Sequence, residues 1–355
     1  MIPKTIRHCD IIAALKKIDE DGVPSSRLPK HYYVKYNDKL YPPKYLVSLA
    51  SQIANGNELY PFEFGGGKET NYFLQRLGFE IIPADRLKGT SANDTPTSIV
   101  TVTIKSNTAH AYSNTSRNRL LEQVIDVYSS TSIILLPAGF FELSKPKDKK
   151  IIEIAESVAA HLRENNLPNV VAFGIDCDDG ADQLAVAVNA DGILAIGRKF
   201  HPTAYEQGII RSAESFSELE MGYSRCFDVN GKRFYLAVCY DGFGVRQCNL
   251  ANPGVDAILI LVHQFRSKGE GPSGDVDFAR KGFAGASLQW KCPAFGTAVF
   301  FDREIPANWP TGVIYKDAEK GVRHFRYQDN ELHWEQQRTI RVDNELALCY
   351  LFFMN

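Results

Sequence analysis

From Ser98 onward the chain is written in short apolar runs: Ile99 to Ile104, Ile133 to Pro137, Val170 to Ile175, Gln183 to Val188, Ile193 to Gly197, Arg233 to Cys239, Ala257 to Val262, Gly296 to Phe301, Gly312 to Tyr315 and Leu346 to Phe353. Runs of this length, rich in Val, Ile and Phe and bounded by Gly, Asp and Asn, read as buried strands. So many buried strands must be closed into sheets whose faces are covered. Two helical stretches punctuate them: Arg117 to Val127, and Ile151 to Glu164 with Ile152, Ile154, Ala155, Val158, Ala159 and Leu162 as its inner side. Close hairpins such as residues 183–197 occur among the strands. The mixture predicts an α+β body of two packed sheets with helices outside, rather than a doubly wound parallel sheet. No internal repeat is evident.

The residues before Ser98 have a different texture. At 355 residues the chain is long for one core, which predicts two domains. Residues 8–20 place Ile11, Ile12, Leu15 and Ile18 on one helical face ending near Gly22. Two aromatic segments about Asn37-Asp38 read as a hairpin, and Pro42-Pro43 opens a helix whose buried side is Tyr45, Leu46, Leu49 and Ala50. A glycine loop, Gly65 to Lys68, then leads into a helix from Asn71 to Leu77 and a strand from Phe79 to Ile82. The glycine loop lacks phosphate-loop spacing and no apolar strand runs into it; its amides are expected to face a phosphate or water. Residues 87–97 are small, polar and turn-rich, a linker. The expected division is 1–86 as a small α+β head, 87–97 as linker and 98–355 as the body.

Charge and cysteine usage narrow the setting. The net charge is -2, but residues 1–88 carry 13 Lys and Arg against 10 Asp and Glu, while the remainder carries 27 against 32. A surplus that small fits solvated surface as well as a polyanion partner. The 7 cysteines, scattered and odd in number, argue against a disulfide framework and for a reducing, cytoplasmic setting. No apolar run approaches a membrane span, and Met1 to His8 has no signal-peptide core.

Reactive side chains fall beside three strand ends. Phe234-Tyr-Leu-Ala-Val-Cys-Tyr-Asp-Gly-Phe-Gly244 runs as a strand into Cys239 and breaks at two glycines. A cysteine so placed is either a nucleophile whose following amides point at an oxyanion or a buried structural residue. Lys199 follows Ile-Leu-Ala-Ile-Gly-Arg, and Glu142 follows Leu-Leu-Pro-Ala-Gly-Phe-Phe. Thiol, ammonium and carboxylate are the groups that hydrolyse an amide or nitrile without metal or other cofactor. The carboxylate takes the thiol proton and later activates water, while the lysine lowers the thiol pKa and holds the oxyanion.

Residues 98–355 resemble the nitrilase (carbon–nitrogen hydrolase) superfamily. The likeness lies in Arg233-Phe-Tyr-Leu-Ala-Val-Cys239 with its elbow to Gly244, in Gly254-Val-Asp-Ala-Ile-Leu-Ile-Leu-Val262, and in Val188-Asn-Ala-Asp-Gly-Ile-Leu-Ala-Ile-Gly-Arg-Lys-Phe-His201. It implies a four-layer αββα sandwich, a Glu–Lys–Cys triad of Glu142, Lys199 and Cys239, a small-molecule amide or nitrile substrate, no cofactor, and a homodimer. It also implies a lysine-orienting glutamate at Glu206, with Tyr240 as a supporting neighbour. The family's glutamate directly follows a strand-ending proline; here that place is Ala138, so either an insertion carries Glu142 into the site or the base is lost. If it is lost, the body is a nitrilase-like ligand-binding or scaffold protein without turnover.

Residues 1–86 resemble the head domain found ahead of McrA-like, modification-dependent restriction endonucleases. The match rests on Lys39-Leu-Tyr-Pro-Pro-Lys-Tyr-Leu-Val-Ser-Leu-Ala50 and Phe64-Gly-Gly-Gly-Lys-Glu-Thr-Asn-Tyr-Phe-Leu-Gln-Arg-Leu-Gly-Phe79. It implies docking on DNA or on a partner in a restriction or anti-phage defence setting, with Lys39, Lys44, Lys68 and Arg76 as the cations for a backbone. Other clusters carry less. Asp176-Cys-Asp-Asp-Gly180 lacks the later glutamate of a calcium loop and reads as a turn; no His/Cys pair has zinc spacing, so no metal is expected. His263 and Phe265 fall where pocket-lining residues would, though a core histidine fits equally well, and Trp290 reads as packing.

Overall fold

The computed structural model describes residues 2–24, 27, 32–36, 39–60, 63–65, 67–83, 96–106, 113–144, 148–177, 181–266 and 274–354. It divides into two compact units, residues 1–94 and 95–355. Most of the expected linker, with Asn37-Asp38 and residues 178–180, lies outside the described residues.

The first unit is built from α1 (His8–Asp21), β1 (Tyr32–Tyr36), β2 (Lys39–Tyr41), α2 (Pro43–Asn55), α3 (Lys68–Arg76) and β3 (Glu80–Pro83). The strands form an antiparallel sheet in the order β2-β1-β3. Ile11, Leu15 and Ile18 of α1 meet Leu46, Leu49 and Ala50 of α2 in its core, which also takes Phe64, Leu74 and Phe79. Pro43 sits in the first turn of α2, where its missing N–H costs nothing. The glycine loop differs from expectation. Gly65 donates its N–H to Glu69 Oε2 at 2.6 Å, so this amide is taken by the chain's own carboxylate.

The second unit follows the order β4 (Thr97–Ser106), α4 (Asn114–Val127), β5 (Ile133–Leu135), β6 (Phe141–Leu143), α5 (Asp148–Glu164), β7 (Val170–Cys177), β8 (Gln183–Asn189), β9 (Gly192–Arg198), β10 (Cys226–Val229), β11 (Lys232–Val238), α6 (Asp241–Gln247) and β12 (Ala257–Phe265). It ends with α7 (Asp275–Asp277), a π-helical segment (Phe278–Phe283), α8 (Ala284–Trp290), β13 (Ala294–Phe301), β14 (Gly312–Val313), β15 (Gln336–Val342) and β16 (Glu345–Met354). β4 is the seam. Its first half pairs with β5 and its last residues with β13, both parallel, while β16 lies antiparallel along its other edge. One limb runs β13-β12-β11-β10 and the other β5-β7-β8-β9.

Side-chain alternation shows how the limbs face each other. Ala185 and Ala187 of β8, with Ala172 of β7 and Ala195 of β9, share a core with Tyr235 and Ala237 of β11. Small residues at these points let the two sheets approach. The other face of β8, Leu184, Val186 and Val188, packs with Ala155, Val158, Ala159 and Leu162 of α5. Phe243 of α6, Phe283 of the π-helical segment and Ala284, Ala286 and Trp290 of α8 cover the first limb. The layers are therefore helix, sheet, sheet, helix. Apolar burial of about 25 cal/mol per Å² across three interlayer contacts is the main term holding this body. No helix among the described residues is long and apolar enough to cross a membrane.

β5, β7, β9, β11 and β12 run the same way within their limbs, so their C-terminal ends gather at one end of the sandwich. After β5, residues 137–139 cross over β7. Gly174 of β7 donates to Pro137 O at 3.0 Å, and a Cβ there would lie 2.3 Å from Ala138 Cα. Only glycine admits that crossing.

Candidate active site

Cys239 stands between β11 and α6 with φ 50, a left-handed conformation that costs a non-glycine residue about 1–2 kcal/mol. Surrounding bonds enforce it. Its N–H donates to Leu261 O of β12 at 2.7 Å. Asp241, fully buried, accepts from Val238 N at 3.0 Å through Oδ2 and from Phe200 N and His201 N, each at 2.9 Å, through Oδ1. Arg225, also buried, lies 3.4 Å from the same carboxylate. One side chain thus ties the end of β11 to the segment leaving β9, which carries Lys199.

Lys199 is fully buried. Its Nζ donates to Glu206 Oε1 and Oε2 at 2.6 and 2.7 Å and to Gln183 Oε1 at 2.9 Å, and lies 5.9 Å from the Tyr240 ring centre. Glu206 is itself held by the Thr203 N–H at 2.8 Å. Burial works against the ammonium, but the Cys239 and Glu206 charges outweigh it and raise the lysine above its ordinary value. Burial likewise works against the Glu206 carboxylate, and Lys199 overcomes it, bringing it down to about 2. This pair is charged at neutral pH.

The sulfur has a second neighbour. Burial pushes the Cys239 thiol up, yet Lys199 and His263 together bring it below the ordinary thiol value. His263, beyond the end of β12, directs Nε2 to Asp176 of β7 at 2.9 Å from Oδ2 and 3.2 Å from Oδ1. Burial opposes the imidazolium, but Asp176 and Cys239 raise it to about 10. The crossing segment lies against this pair: Ala138 N donates to Val262 O at 3.2 Å, and a Cβ on Gly139 would fall 3.0 Å from Asp176 Oδ2.

Of the residues expected in the site, Lys199, Cys239, Glu206, Tyr240 and His263 come together. Glu142 sits on β6, exposed, in register with Asp176, its backbone clamped at both N–H and C=O by the Asn114 amide. The Lys199 ammonium is hydrogen-bonded to Glu206 and Gln183. Phe265 is core, packed edge-on to Phe278 and Trp309. Tyr240 stacks on Phe243 at 4.5 Å. Trp290 is buried and donates to Leu250 O at 2.9 Å. In the first unit Lys39 pairs with Asp19 at 3.0 Å, Lys44 lies over the Phe64 ring at 5.1 Å, Arg76 lies 5.9 Å from the Tyr72 ring, and Lys68 is exposed at the start of α3. A cavity of about 670 Å³ opens elsewhere in the second unit, between Trp309, Tyr327, Trp334 and Phe352, and none of the residues around Cys239 lines it. Among the described residues no group of His, Cys, Asp and Glu could hold a metal.

Asp241, Asp176 and Gln183 were not anticipated. Asp241 could have been read from its place two residues after the cysteine, where a carboxylate can cap the strand end it follows. Asp176 was visible only as part of a turn-like acidic cluster.

No curated protein matches the sequence. Among solved structures, the chain is similar to a CN-hydrolase superfamily protein from Xanthomonas campestris with an arsenic adduct in its active site, at 14% identity over 73% of this chain and 91% of that one, TM-score 0.45. It is similar to a carbon-nitrogen hydrolase from Helicobacter pylori at 14% identity, over 71% of this chain and 88% of that one, TM-score 0.43. A glutamine-dependent NAD(+) synthetase from Cytophaga hutchinsonii is matched at 12% identity over 58% of this chain and 36% of that one, TM-score 0.39. Residues 4–83 match the family model described as the ScoMcrA-like, N-terminal head domain.

Proposed function

We propose that the second unit is a cysteine-dependent hydrolase of a non-peptide carbon–nitrogen bond, an amide or a nitrile. The observation that carries this reading is a cysteine held left-handed at a strand end, its sulfur flanked by a buried ammonium and an imidazole. Structural cysteines need neither feature. The Cys239 thiolate attacks the substrate carbon, and the developing oxyanion meets the Lys199 ammonium and the N–H of Tyr240. Collapse expels ammonia or an amine and leaves a thioester, which water hydrolyses. Glu206 and Gln183 keep the ammonium in place throughout.

Iodoacetamide at about pH 6 tests this, because ordinary thiols are almost wholly protonated there. Peptide mass spectrometry is expected to find Cys239 alkylated ahead of the exposed Cys9 and Cys248, and Lys199→Ala to lose that preference. Equal labelling of the cysteines would instead favour a ligand-binding body without turnover. Ammonia release across small amides, ureido compounds and nitriles then identifies the substrate.

We propose further that the first unit docks on the backbone of duplex DNA, in keeping with a restriction or defence setting. The exposed Lys39, Lys68 and Arg76, and the surplus of basic residues in this part of the chain, support it. Duplex binding by the full chain is expected to weaken steeply with salt, log Kobs falling by roughly 0.9 per phosphate neutralised. Absence of binding at low salt removes the idea.

A further inference from the structure

We infer that His263, oriented by Asp176, is the acid–base partner of the Cys239 thiol, and that Glu142 is not. The inference rests on the reading of Cys239 as nucleophile and adds the group that moves its proton. Two carboxylates lie side by side on neighbouring strands, Glu142 on β6 and Asp176 on β7, in register. Asp176 is the one committed to an imidazole that reaches the sulfur. Its two oxygens lie 2.9 and 3.2 Å from His263 Nε2, which holds the ring by that nitrogen. The segment after Pro137, where the sequence led us to look for an acid, carries Ala138 and Gly139, and it lies flat over this pair. A Cβ at Gly139 would crowd Asp176 Oδ2, at 3.0 Å, and rest in contact with His263 Cδ2, at 3.6 Å. That space is filled by imidazole and carboxylate.

His263 is 19% exposed in its side chain, so one edge of the ring can face a substrate while the other meets Asp176. In this scheme the resting proton sits on the ring and the sulfur is a thiolate. Sulfur attacks the amide carbon, forming the C–S bond as the carbonyl π pair moves to oxygen. The imidazolium gives its proton to the nitrogen, the C–N bond breaks, and ammonia or an amine leaves. Neutral His263 then takes a proton from water as the oxygen attacks the thioester. Collapse returns the electron pair to sulfur and releases the acid. The cycle consumes one water and restores the thiolate and the imidazolium. His263 is catalytic in this scheme, whereas Asp176 is a positioning residue that acts through the ring.

The charged and titratable groups around the pair are Lys199 from the end of β9 with Glu206 behind it, Tyr240 and Asp241 from the elbow, and Asp176 from β7, with Glu142 on the neighbouring strand. Lys199 also favours the thiolate, so the test isolates His263 by its pH profile. The rate of Cys239 alkylation by iodoacetamide is followed in the full chain from about pH 5 to pH 10, with folding checked by circular dichroism. In the wild type the rate stays high into the acid range. His263→Asn is expected to move the midpoint up by about one pH unit or more, slowing alkylation roughly 10-fold at pH 6. Asp176→Asn moves it the same way by less, and Glu142→Gln leaves the profile superimposed on the wild type.

A selectively reactive Cys239 whose profile ignores His263→Asn, or shifts with Glu142→Gln, overturns the inference and leaves the nucleophile standing. A wild-type Cys239 no more reactive than Cys9 and Cys248 removes both. Should His263→Asn fail to fold, the contrast between Asp176→Asn and Glu142→Gln decides in the same direction.

Discussion

Glu206→Leu is expected to destabilise the second unit by about 3–5 kcal/mol, whereas Lys199→Met, which breaks the same pair from the other side, removes only about 1–2 kcal/mol. The asymmetry follows from burial. The lysine side chain is 1% exposed and its partner 24%, so a freed glutamate can rehydrate while a freed ammonium cannot. Leucine also offers nothing to the Thr203 N–H or the Gln183 amide. The pH dependence separates this account from a packing defect. In the wild type, burial opposes the ammonium but Cys239 and Glu206 hold its pKa above the unfolded value of about 10.4. That contribution is fully present below about pH 10.4 and is lost as pH rises through the folded pKa. In Glu206→Leu the hydrogen-bonded carboxylate is gone while burial remains, and the folded pKa is expected to drop below the unfolded one. The variant then carries a penalty near pH 7 that shrinks as pH rises and the lysine neutralises. Urea denaturation is therefore expected to show a gap between the two proteins that narrows from about pH 7 to about pH 10. A gap independent of pH would place the loss in packing.

How much of this was readable beforehand depends on what each element buries. The long strands stood out because both faces are covered, as in Ile258 to Leu261, so their apolar runs are unbroken. β15 was missed because it is mostly polar, with only Ile340 and Val342 of Gln336–Val342 buried. β6 was missed because Glu142 interrupts a run of only three residues. The seam at β4 is invisible to any local pattern, since it consists of pairings with β5, β13 and β16 from three distant stretches. The site divides the same way. Cys239 and Lys199 stood out because each closes a recognisable strand motif, whereas Glu206 was suggested only by the family resemblance. The Asp176–His263 pair joins residues 87 positions apart, and neither local context announces the other. Asp176 had looked like part of a turn because Asp and Gly cluster after it. The glycine loop misled in the opposite sense, since the partner of Gly65 is a glutamate only four residues on.

Asp241→Ala is expected to be as damaging as any substitution in the site, although Asp241 has no assigned part in the chemistry. The carboxylate is fully buried and accepts three backbone N–H groups, from Val238, Phe200 and His201, with Arg225 at 3.4 Å. Alanine leaves three buried donors and a buried guanidinium without their acceptor, which costs about 3–5 kcal/mol. Asp241→Asn is expected to recover less than half of that, because its amide brings one acceptor oxygen and turns two donors toward donors. The reactivity loss should exceed the stability loss in consequence. Asp241 holds the end of β11 against the segment carrying Lys199, and Cys239 takes its left-handed conformation at that junction. Release of the junction moves sulfur and ammonium apart, and a displacement of about 1 Å is enough for roughly a 100-fold loss of rate. Below the denaturation midpoint, iodoacetamide labelling of Cys239 at about pH 6 should therefore fall by about that factor in Asp241→Ala, with the molecule still folded by circular dichroism. Undiminished labelling in a folded but destabilised Asp241→Ala would mean that the thiolate owes its reactivity to Lys199 and His263 alone, and that the strained turn at Cys239 is maintained by the bond to Leu261 without help from the carboxylate.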